Sequence, residues 1–62
     1  MQADPRHMAE QVRTAVVSAA LTAYEEAAMR GLCAEGAWEV AVGAMRALDL
    51  AGIVAQGVRT VG

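Results

Sequence analysis

The chain has 62 residues, 56% of them apolar, and a formal charge of −2 from seven acids against five arginines with no lysine. That length supports one small domain, residues 1–62, near the lower limit for folding alone. No basic cluster and no interleaving of Arg with aromatics is available to neutralise phosphates, so nucleic acid is not an expected partner.

A chain of this size needs help to fold. Apolar burial at about 25 cal/mol per Å² and ordering entropy of about 1.5 kcal/mol per residue nearly cancel. A single cysteine, Cys33, closes no disulfide within the chain, and one Cys with one His (His7) is too few ligands for an ordinary zinc site. No metal or cofactor is therefore expected, and self-association is the route left. Fifteen alanines against four leucines, one isoleucine and no phenylalanine point the same way. Alanine favours helix because ordering it costs no side-chain entropy, but an Ala-rich hairpin encloses little side-chain volume.

Asp4-Pro5 is a strong helix start. Asp can cap free backbone N–H groups, and Pro at the first helical position gives up no needed donor. No Gly or Pro follows before Arg30. Gln11, Thr14, Ser18, Thr22 and Glu25 recur three or four residues apart and mark a solvated stripe. Glu10–Arg13 and Glu26–Arg30 have the spacing of surface ion pairs, each worth about 0.2–0.5 kcal/mol. The remaining surface carries two apolar rows: Val12, Val16, Ala19, Ala23, Ala27, and beside it Val17, Leu21, Tyr24, Ala28. Together they exceed the stripe of about 100° that serves one neighbouring helix. Val12, Val16, Val17 and Leu21 are the expected dimer-interface residues.

Two endings of this helix are compatible with the sequence. Gly31 before Leu32 fits a C-cap glycine. The ending preferred from the sequence runs through Gly31, at about 1 kcal/mol relative to Ala, and turns at Glu35-Gly36-Ala37. A second, shorter helix follows from Trp38, Ala41, Val42, Met45 and Leu48, spaced i, i+3, i+4, i+7. Arg46–Asp49 is a further expected surface pair. Beyond Leu50 the pattern fades between Gly52 and Gly57, and fraying is expected at residues 1–4 and from about residue 56.

At about 1.5 Å per residue, Pro5–Glu35 would span roughly 46 Å and Ala37–Leu50 roughly 21 Å. The first helix overhangs its partner, and a second copy packed antiparallel would cover the overhang. The expected fold is all-α: a helical hairpin of long helix, short turn and shorter helix, pairing into an antiparallel homodimeric four-helix bundle.

The run Gly36-Ala37-Trp38-Glu39-Val40-Ala41-Val42, with Met45 beyond and Leu32 before, resembles the centre of a tetratricopeptide repeat. Gly36 matches its turn glycine, Trp38 its aromatic, Ala41 its small residue and Met45 its bulky one. The likeness spans about fifteen residues, and a solenoid needs at least about three repeats where this chain has one. It implies a helical hairpin that serves protein interaction. The Gly31-Leu32-Cys33, Glu35-Gly36 and Trp38-Glu39 pattern is also similar to one in short bacterial proteins labelled acetyltransferases, although the usual acetyl-CoA-binding fold needs a longer chain.

No catalytic constellation stands out, and the chain is not expected to be an enzyme. With the first helix running to Glu35, Cys33 lies near a helix C-terminus, where the dipole disfavours a thiolate, and a small buried residue is the expected role. His7 and Glu10 form a solvated helix start, and Glu25, Glu26, Glu35 and Glu39 a solvated acidic face. Tyr24 and Trp38 are expected in the core, with Met8, Met29 and Met45 as gap-fillers. The leading expectation is a small structural or regulatory protein-interaction module acting as a homo-oligomer, its partner itself and, as a second possibility, a larger protein. The alternative is a small-ligand or cofactor-binding bundle with a pocket near Tyr24, Cys33 and Trp38, to which Met45 would contribute. The opening stretch lacks the apolar run of a signal peptide, and the longest uncharged run of the first helix, Thr14–Tyr24, has eleven residues where a membrane span needs about 20. No membrane role and a cytoplasmic location are expected.

Overall fold

A computed structural model describes residues 4–59, with side chains as far as Gln56. Residues 1–3 and 60–62, part of the expected frayed ends, lie outside the described residues. Three helices make up the described chain: α1 (Pro5–Met29), α2 (Ala34–Ala47) and α3 (Leu50–Arg59). The protein is all-α, as its composition and periodicity indicate.

The start of α1 is built as its sequence dictates. The Asp4 side chain accepts a hydrogen bond from the Arg6 N–H at 2.9 Å, and Pro5 opens the helix. The Glu10–Arg13 pair forms at 3.3 Å on an exposed surface. The Glu26–Arg30 and Arg46–Asp49 pairs do not form among the described residues.

The end of α1 corrects the preferred turn. Gly31 lies at φ +95°, the left-handed region open to glycine. The Leu32 N–H donates to the Ala27 carbonyl and the Gly31 N–H to that of Ala28, which is the Schellman arrangement. These two bonds at the end of α1 outweigh the modest gain of carrying the helix on through a glycine. Consequently Gly36, matched above to a turn glycine, sits inside α2, where Leu32 packs on it: a Cβ there would lie 3.5 Å from the Leu32 side chain. Cys33 is the N-cap of α2 and is exposed, so neither its expected burial nor its place at a helix C-terminus holds.

The expected second helix is in fact two. The backbone turns extended at Leu48 (ψ 134°), and Asp49 caps a new helix: its carboxylate accepts from the Gly52 N–H at 3.0 Å. Asp49 is occupied there and not with Arg46. At about 1.5 Å per residue, α1 is about 38 Å long, and α2 and α3 in succession about 36 Å. α1 packs against both, more extensively against α2. α3 thus lies along the N-terminal half of α1, and the overhang expected from a single short partner is filled from within the chain. The result is a rod of 47 × 16 × 15 Å.

Its interior is thin. The buried hydrophobic residues are Ala27, Ala37 and Ala41, and no large side chain is fully buried among the described residues. The row Val12, Val16, Ala19, Ala23, Ala27 is half-buried to buried, so this is the face of α1 that meets the rest of the chain. Gln11, read above as part of the solvated stripe, is half-buried because α3 returns beside it.

Candidate functional site

The second apolar row of α1 stays open. Val17 is 50% exposed, Leu21 57% and Tyr24 36%, and Ala28 is exposed as well. On a helix of about 3.6 residues per turn these four fall on one stripe, turned roughly 60–120° from the buried Ala27. On α2, Trp38 and Val42 are turned the same way from the buried Ala41, by roughly 60° and 100°. In two antiparallel right-handed helices these two flanks lie on the same side of the layer. Val17, Leu21, Tyr24, Trp38 and Val42 therefore share one face, with Trp38 57% exposed. The expected core role of Trp38 is not realised: the α2 surface against α1 is taken by Ala37 and Ala41, and Trp38 stands at its edge.

Of the expected interface residues, Val12 and Val16 are half-buried within the chain, whereas Val17 and Leu21 are open. Met45 is half-buried and Met29 is 80% exposed, so Met29 fills no gap. The main surface grooves among the described residues lie elsewhere than the expected pocket. One is lined by residues of α1 from His7 to Ser18 with Ile53 and Gln56 of α3. A second lies on α1 along Arg13, Val17, Leu21 and Glu25, and a third beside Trp38, Val42 and Arg46. None of the three joins Tyr24, Cys33 and Trp38.

The site is electrostatically plain. No group of three or more His, Cys, Asp or Glu residues suited to a metal ion occurs among the described residues. Glu10 is engaged with Arg13, and His7, Glu25, Glu26, Glu35 and Glu39 are all exposed. No described helix is long and apolar enough to cross a membrane. The chemical means of this surface is apolar contact, bordered by Arg13, Glu25, Glu39 and Arg46.

What the sequence reading missed was which row would be covered. Both rows of α1 are equally apolar in pattern, but the inner one is richer in Ala and admits close backbone approach. Leu21 and Tyr24, the larger side chains, are left outside. No family model matches the chain, and no curated protein and no solved structure is similar to it at a significant level.

Proposed function

We propose that the chain is a small structural or regulatory protein-interaction module that acts as a homo-oligomer, through the face formed by Val17, Leu21, Tyr24, Trp38 and Val42. The observation that carries this reading is the mismatch, among the described residues, between a core of three alanines and eight large apolar side chains left exposed, four of them (Val17, Leu21, Tyr24 and Trp38) on this face. An antiparallel homodimer would be a four-helix bundle in outline, each protomer supplying α1 and the α2–α3 line.

The test is the molar mass in solution by light scattering over a wide concentration range, with a thermal melt on each sample. A mass near twice the chain and a melting temperature that rises with concentration is the expected result. A stable monomer that melts cooperatively at the same temperature throughout would overturn it and turn the face toward a different protein.

A further inference from the structure

The row on α1 that lines the second groove reads Arg13, Val17, Leu21, Glu25, each four residues from the next. All four are exposed, Arg13 with 72% of its side chain free despite its contact with Glu10. Residues four apart form a continuous ridge on a helix, and here the smaller Thr14, Ser18 and Thr22 line the same groove beside it. The ridge has a cation at one end, an anion at the other, and two apolar side chains between. Such a row is complementary to itself when turned end for end.

The geometry points to a second copy of this chain as the occupant of that groove, its α1 antiparallel and centred near residue 19. This inference rests on the self-association proposed above and names how it is seated. About a two-fold axis at that point, Val17 meets Leu21 of the partner subunit and Leu21 meets Val17 of the partner subunit. Arg13 then faces Glu25 of the partner subunit, and the reverse contact follows by symmetry, as an isologous interface requires. Within one chain the same two charges cannot meet, because twelve residues of helix hold them about 18 Å apart. Among the described residues Glu25 has no ion-pair partner, so the contact breaks none that it makes. Charge at the rim fixes register and orientation more than it adds affinity, and the apolar pair between supplies the contact area.

Charge reversal tests the seating on the full chain. Arg13→Glu and Glu25→Arg are each expected to weaken self-association about tenfold, since two like-charge contacts replace two opposite ones. The double variant restores both contacts and should recover the wild-type dissociation constant. A one-to-one mixture of the two single variants should form a heterodimer tighter than either variant alone, because each subunit then supplies the charge the other lacks. Circular dichroism on every sample, and the milder Arg13→Gln and Glu25→Gln, guard against loss of helix.

A dimeric wild type whose affinity ignores the single reversals overturns the seating and leaves self-association standing. So does weakening that neither the double variant nor the mixture rescues. A wild type that is monomeric at every concentration overturns both.

Discussion

Asp49 and Gly52 are locked to each other. One carboxylate oxygen of Asp49 accepts the Gly52 N–H at 3.0 Å, and the other would stand 2.6 Å from a Cβ added at residue 52. The cap that starts α3 therefore needs the acid, and a methyl at residue 52 would make its free oxygen turn aside. Asp49→Ala should cost about 1 kcal/mol, the usual worth of an N-cap. Gly52→Ala should gain less than the roughly 1 kcal/mol that Ala usually brings to a helix, because the added methyl makes the carboxylate tip give way. In the Asp49→Ala background the same change should bring the full gain. A double-mutant cycle by thermal or urea unfolding reads the coupling, and simple additivity would show that the cap does not form.

Gly31 and Gly43 predict opposite signs for one substitution. At φ +95° Gly31 occupies a conformation that costs an L-residue about 1–2 kcal/mol, so Gly31→Ala should lower stability by about that much even though space is open there. Gly43 is interior to α2, has nothing within 4 Å of an added Cβ and has no such backbone demand. Gly43→Ala should raise stability by about 0.5–1 kcal/mol. If it instead lowers the melting temperature only at concentrations where the protein self-associates, a partner approaches the α2 backbone at that point.

Cys33 occupies a cap position without capping. It precedes α2 and its thiol makes no hydrogen bond to the helix N–H groups. Serine is nearly isosteric and a far better acceptor. Cys33→Ser should stabilise by about 0.5–1 kcal/mol, with little packing lost because the residue is exposed. An unchanged or lower melting temperature would mean that the thiol is buried in solution, and slow labelling of the native protein with a thiol reagent would say the same.

How much of this was legible in the sequence follows the strength of the local signals. Asp4-Pro5 and the unbroken run to Met29 specify α1 almost completely, since capping chemistry and propensity agree there. The turn was legible only as a choice, because Gly31 and Gly36 both offer a break. The Schellman bonds that decide it depend on Leu32 finding Gly36 to pack on, which no local pattern displays. α3 was hidden by a competing reading of Asp49 as a partner for Arg46. Asp49 followed by Leu50, Ile53 and Val54 at i, i+3, i+4 spacing is a cap and an apolar face, and that signal was available. Of the candidate site, the two apolar rows were visible from α1 alone. Which row stays outside depends on how closely α2 approaches, and the small buried residues Ala27, Ala37 and Ala41 set that approach.

Gln11 gives the last test, because its position depends on α3 lying where it does. Its side-chain oxygen is shielded from solvent and has no hydrogen-bond partner among the described residues, in the groove that Ile53 and Gln56 also line. An unsatisfied buried acceptor costs about 1–3 kcal/mol. Methionine has similar length, good helix propensity and no polar oxygen to desolvate. Gln11→Met should therefore stabilise the chain by about 1 kcal/mol, whereas Gln56→Met, on the exposed α3 surface, should shift it by less than about 0.5 kcal/mol. Amide hydrogen exchange in α3 should slow in the Gln11 variant, because a drier α1–α3 contact raises the free energy of opening that segment. If Gln11→Met destabilises while α3 exchange quickens, the oxygen is hydrogen-bonded in solution and α3 is held by that bond and not by apolar packing alone.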